Sequence, residues 1–110
     1  MDTKDISIIK RDGKTEEFSP EKIKKAITKA FMAGGLLNED RLIENITKRV
    51  VKSIEKKLIS VEEIQDIVER ELMGSNPYIA KKYIIYREWR TVERDKRTSM
   101  KRIMDGIVKI

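Results

Sequence analysis

Apolar residues recur at spacings of three and four over most of this chain, after two short N-terminal runs that flank Asp12-Gly13. An Asp-Gly pair favours a two-residue hairpin loop, which needs positive φ at both central positions, so the opening predicts a β-hairpin. Ser19 then offers an N-cap. Pro20 suits the first helical position, where a missing N–H costs nothing. Ile23, Ala26, Ile27, Ala30 and Phe31 give the first helix one apolar face, from Pro20 to about Ala33, and Gly34-Gly35 stops it.

Asn38 is the expected N-cap of a second helix, with Glu39 and Asp40 in its first turn complementing the dipole. Ile43, Ile46, Val50 and Ile54 form its buried stripe. Ser60-Val61-Glu62-Glu63 reads as a capping box opening a third helix. Ile64, Ile67, Val68 and Leu72 face inward there, and Gly74-Ser75-Asn76-Pro77 ends it. A fourth helix begins near Pro77 and meets no breaker before Gly106; its core candidates are Ile79, Ala80, Tyr83, Ile84 and Tyr86.

The second half of that helix changes character. From Arg87 to Arg102 there are seven basic and three acidic residues, and apolar positions return at Met100, Ile103, Met104 and Ile107. The pattern predicts one domain over residues 1–92. Residues 93–110 then form a basic helical extension or a linker to a missing downstream domain, its amphipathic tail seeking a partner surface. On this reading the sequence is a piece of a larger protein.

Composition narrows the chemistry. At 110 residues the chain suits one domain with its own core and is too short for two. The net charge of +6 favours an anionic partner without choosing among nucleotide, nucleic acid and membrane surface. With no cysteine and no histidine, thiol chemistry, an imidazole base and the usual zinc ligands are all missing. No apolar run approaches the roughly 18 residues of a membrane span, so a soluble cytoplasmic protein is expected.

The densest cluster of candidate chemistry is at the hairpin. Lys10, Arg11 and Lys14 lie beside a helix N-terminus with Lys22 in its first turn. Unpaired helix N–H groups next to several cations make a phosphate site. The plainer alternative is that Lys10 and Arg11 are solvated charges on an edge strand. A cation at Lys22 opposes the dipole unless an anion binds nearby. Arg87 and Arg90 share a helix face and can grip phosphate through the guanidinium fork. Arg87 could equally pair with carboxylates on helix two or three. Trp89 reads as a packing or interface residue. Two rival classes stand beside a nucleotide site: a helical nucleic-acid binder using the Arg87–Arg102 stripe, and a plain interaction domain docking through its tail. Few aromatics and scattered acidic residues disfavour the nucleic-acid binder.

Lys10-Arg11-Asp12-Gly13, Glu16, Phe18 and Ser19-Pro20-Glu21-Lys22-Ile23 resemble the opening of an ATP-cone. This small nucleotide-binding domain stands at the N-terminus of many ribonucleotide reductases and also occurs in their transcriptional repressor. The likeness resumes at Ser60-Val61-Glu62-Glu63-Ile64-Gln65-Asp66-Ile67-Val68-Glu69 and at Tyr83-Ile84-Ile85-Tyr86-Arg87, and so spans about residues 6–90.

The resemblance implies a mainly α fold, four helices under a short β-hairpin lid, holding ATP or dATP between lid and first helix. Lys10, Arg11 and Arg90 match the family positions that hold the triphosphate, Lys22 and Arg87 being added to them as candidates from their places on the helices, with Mg²⁺ bound through phosphate oxygens and water. Glu16 and Ser19 lie beside the adenine edge, though Glu16 could be a strand-surface charge and Ser19 is read as a cap first. Ile8 and Ile23 pack on the base. The sequence departs from the family at two positions. Val61 stands where some members have a threonine hydroxyl, and Gln65 where some have a histidine near the sugar. Gln65 can still bond a ribose hydroxyl. The implied role is regulatory and non-catalytic: ATP favours an active reductase and dATP an inactive one. The partners implied are a downstream catalytic domain, expected of the anaerobic ribonucleoside-triphosphate type, and a second copy in nucleotide-dependent self-association. The repressor is the alternative, but its cone follows a cysteine-rich ribbon, and this chain has no cysteine.

Overall fold

A computed structural model describes residues 5–108, with side-chain burial over 5–93 and at Lys96. Three strands and four helices follow in the order β1 (Ser7–Ile9), β2 (Thr15–Glu17), α1 (Pro20–Ala33), α2 (Asp40–Ser53), β3 (Leu58–Ser60), α3 (Val61–Ser75) and α4 (Pro77–Val108). The fold is mainly helical, as expected, but the lid is a three-stranded sheet in the order β2-β1-β3. β1 pairs antiparallel with β2 and parallel with β3, Ile8 facing Glu16 on one side and Ile59 on the other. Lys10 and Arg11 therefore leave a central strand, and the edge-strand reading of their charges does not hold.

The hairpin turn also differs from expectation. The Lys10 N–H donates to the Lys14 carbonyl at 2.8 Å and the Gly13 N–H to the Lys10 carbonyl at 3.0 Å. The loop is thus three residues, Arg11 to Gly13, with Gly13 alone at positive φ (84°). A tight turn followed by a left-handed glycine is the usual three-residue solution. Asp12 stabilises it differently, its Oδ1 accepting from the Lys14 N–H at 2.9 Å.

α1 buries Ile23, Ile27, Ala30 and Phe31, the face expected from its spacing. Its last carbonyls are closed by the N–H groups of Gly34, Gly35 and Leu36. At Gly34 a Cβ would sit 2.5 Å from Ile79 Cδ1, so the α1 end and α4 approach closely because no side chain intervenes. Asn38 is not the cap of α2. It adopts φ 64°, and Glu39 occupies the cap position without a side-chain bond. A short polar side chain tolerates the left-handed conformation, and the corner uses Asn38 for that instead.

The Ser60 capping box forms as read: the Glu63 N–H donates to Ser60 Oγ at 3.1 Å and the Ser60 N–H to Glu63 Oε2 at 3.2 Å. Ile64, Val68 and Leu72 are buried on α3. On α4, Ile79, Ala80 and Tyr83 are buried, whereas Ile84 is 39% exposed and Tyr86 half-buried. Both had counted as core candidates. Ile84 lies about a quarter turn off the 79/80/83 stripe, and the next position on that stripe is Arg87, whose charge ends the apolar face.

The core gathers Ile6, Ile8 and Phe18 from the sheet region with Ile27, Phe31, Ile46, Val50, Leu72 and Ile79 from the helices. α4 continues to Val108, so the basic segment is helical. The side chains of Met100, Ile103, Met104 and Ile107, read as an amphipathic tail, lie outside the described residues. No described helix is long and apolar enough to cross a membrane.

Candidate functional site

The sheet, the start of α1, and one face each of α3 and α4 enclose two adjoining clefts. The first, about 190 Å³, is lined by Ile8, Glu16, Ser19, Lys22, Ile23, Ala26, Val61, Ile64, Gln65, Val68 and Tyr83. The second, about 170 Å³, is lined by Arg11, Ala26, Gln65, Tyr83, Tyr86, Arg87, Arg90 and Thr91. Ala26, Gln65 and Tyr83 belong to both, so an apolar hollow opens into a basic one across a shared wall.

Ile8, Glu16, Ser19, Lys22, Ile23, Val61 and Gln65 line the first cleft and Arg11, Arg87 and Arg90 the second, whereas Lys10 and Lys14, also singled out from sequence, line neither. Lys10 stands beside the first: its Nζ is 3.6 Å from Glu16 Oε2, while Lys22 Nζ is 3.3 Å from Glu16 Oε1. Two lysines on different elements thus share one carboxylate at the cleft edge. Ser19 occupies the cap of α1 in extended backbone, but its hydroxyl makes no cap hydrogen bond. Ser19 is thus the cap by position, its backbone carbonyl accepting from the Lys22 N–H at 3.2 Å, while its side chain forms no cap bond and the residue lines the first cleft.

Side-chain Oε1 of Gln65 is buried and accepts no hydrogen bond, the one such atom among the described residues. A buried acceptor without a donor is costly, and this one sits where the two clefts meet. Nearby, burial pushes the Tyr83 phenol well above its ordinary range, so it remains a neutral donor.

In the basic cleft each arginine has distinct surroundings. Arg87 donates to Glu69 at 2.6 Å and to Asp66 at 2.9 Å, the α3 pairing considered as its plain alternative, while still lining the cleft. Arg11 reaches across from the hairpin loop: its Nε lies 2.9 Å from Glu62 Oε1 and its Nη2 donates to Thr91 Oγ1 at 3.3 Å. Arg90 is exposed on the rim. Trp89 is 55% exposed and stacks on Tyr86, ring centroids 6.4 Å apart.

Ala26, Ile64, Val68, Tyr83, Tyr86 and Thr91 were missing from the candidate residues. The signal for most of them was helical spacing. Residues 61, 64, 65 and 68 fall on one face of α3, and 83, 86, 87 and 90 on one face of α4. A face that packs a core near its middle can line a cleft near its end.

Comparison with known proteins shows the family of this segment. The family model for the ATP cone domain matches residues 6–92. The chain is 43% identical over 96 residues to the ribonucleoside-diphosphate reductase subunit alpha of Chlamydia pneumoniae, covering 77% of this chain and 9% of that protein. It is 36% identical over 102 residues to the vitamin B12-dependent ribonucleoside-diphosphate reductase of Thermoplasma acidophilum (84% of this chain, 13% of the relative). With the anaerobic ribonucleoside-triphosphate reductase of Haemophilus influenzae it shares 34% over 107 residues (94% and 15%). The chain thus spans a small fraction of each relative's length. The relatives include the anaerobic type expected, beside two other kinds. The matched segment begins at the sheet and ends just past the arginines of α4. Over the stretch that builds both clefts, therefore, the chain belongs to the ATP-cone domain family.

Proposed function

We propose that this domain binds ATP or dATP in the joined clefts, as a regulatory module of a ribonucleotide reductase. The adenine lies in the apolar hollow, packed by Ile8, Ile23 and Val61, with Glu16 and Ser19 at its polar edge. The ribose lies at Gln65, and the phosphates run toward Lys10, Lys22, Arg11, Arg87 and Arg90. The observation that carries this reading is the unpaired Gln65 Oε1 at the junction of an apolar and a basic cleft. A nucleotide has that same order of parts, apolar base, hydroxyl-bearing sugar and anionic tail, and a sugar hydroxyl would supply the missing donor. Mg²⁺ accompanies the phosphates through their own oxygens and water.

The module binds without hydrolysing. The clefts contain no thiol, no imidazole and no glycine-rich loop with a phosphate-binding lysine. Regulation then rests on a coupling free energy: each nucleotide favours a different packing of the cone on the catalytic part of its parent chain or on a second copy. The test is thermal unfolding with ATP, dATP, GTP and CTP. Adenine nucleotides should raise the midpoint by mass action at micromolar concentration, and the other two should do so less. Equal shifts with all four would defeat adenine recognition.

A further inference from the structure

The arginines of the basic cleft are not equally available to a phosphate, and the difference lies on α3. Glu62, Asp66 and Glu69 stand at positions i, i+4 and i+7, one acidic row along the helix that pairs with two arginines of the cleft, Arg11 and Arg87. Arg87 is held by two members of this row and its side chain is only 20% exposed. It is fixed, and its charge is already largely answered. Among the described residues Arg11 is held by a single carboxylate, that of Glu62, with its side chain 33% exposed and that of Glu62 46% exposed. It comes from a three-residue loop tip, so its swing costs little backbone rearrangement.

We infer that Glu62 is an internal competitor for the phosphates, a specificity-determining residue that occupies Arg11 until a polyphosphate displaces it. This rests on the proposed nucleotide reading of the clefts. An incoming anion takes over the Arg11 guanidinium and leaves the Glu62 carboxylate beside the phosphate it lost to. The exchange is favourable for a ligand with several charges reaching Arg11 and unfavourable for one with few. Glu62 would thereby raise the discrimination threshold between adenosine triphosphate and monophosphate. The same exchange releases the Arg11 contact to Thr91, so occupancy of the site changes how the hairpin loop is tied to α4.

Titration calorimetry at low salt on the wild-type chain, Glu62→Gln and Glu71→Gln, with ATP, AMP and inorganic tripolyphosphate, tests this. Glu71 pairs with Arg49 away from the clefts and controls for net charge alone. Glu62→Gln should tighten ATP and tripolyphosphate by roughly two- to fivefold, the range an exposed ion pair supports, and leave AMP unchanged. Glu71→Gln should change none of them. ATP and tripolyphosphate affinities that stay equal or fall in Glu62→Gln would overturn the competitor role, as would an equal gain in Glu71→Gln. The nucleotide reading fails separately: if wild type binds tripolyphosphate but gains nothing from the adenosine of ATP, that reading falls while competition at Arg11 stands.

Discussion

Arg87 on α4 and Glu69 on α3 are joined by a 2.6 Å hydrogen bond, at the point where the apolar seam between the two helices gives way to the basic cleft. Immediately inward lies buried Tyr83, and outward lies exposed Arg90. The pair therefore serves the scaffold and the cleft at once. Replacing Glu69 by Gln should lower folding stability by about 1–2 kcal/mol, more than an exposed pair because both partners are mostly covered. An unchanged urea midpoint would show that Arg87 is held by Asp66 alone.

Core and cleft residues should separate cleanly in stability measurements. Ile27 has no exposed surface, and Ile27→Ala should open a cavity costing about 2–5 kcal/mol. Lys10→Ala removes a half-exposed side chain whose nearest carboxylate is 3.6 Å away, so its urea midpoint should stay near wild type. Comparable losses in both variants would mean that the hairpin depends on Lys10.

The contact of Gly34 with α4 gives a packing test. Gly34→Ala places a methyl carbon against Ile79 Cδ1 and near Tyr78 Cε1. Because Ile79 is fully buried it has little room to yield, and overpacking should cost about 1–3 kcal/mol. Stability equal to or above wild type would show that the α1–α4 junction relaxes freely.

A pH dependence follows from the α3 cap. Hydrogen bonding by Lys56, and then by the Ser60 N–H, holds the Glu63 carboxyl below its ordinary value of 4.5. A group with a lowered folded pKa contributes stability that is present above the unfolded value and lost as pH falls through the folded one. Glu63→Gln should therefore be less stable than wild type at about pH 7, with the gap closing as pH falls below 4.5. A gap that stays constant into acid would place the stabilisation elsewhere.

The helices were legible because each carries a repeated apolar face and a chemical signal at an end, clearest in the Ser60–Glu63 box. β3 was not, since three residues leave no room for a period and its partner β1 lies some fifty positions away. Asn38 was misread for a local reason: asparagine suits both a cap and a left-handed corner. For the clefts, residue types and family spacing marked the polar groups. Which arginine meets which carboxylate depends on how α3 and α4 face one another, a relationship that no local pattern encodes. Arg11 reaching Glu62 and Thr91 is the clearest case.

On the proposed function, the joined clefts hold an adenine nucleotide with its phosphates among Lys10 and the arginines. Calorimetric titration of ATP into wild type, Lys10→Ala and Arg90→Ala tests it most directly. Wild type should bind at micromolar levels, and each variant should lose about 1.5–3 kcal/mol of affinity, the worth of a charge-assisted hydrogen bond. If both variants bind ATP as wild type does, the nucleotide lies elsewhere and the basic segment of α4 beyond Arg90 becomes the better candidate.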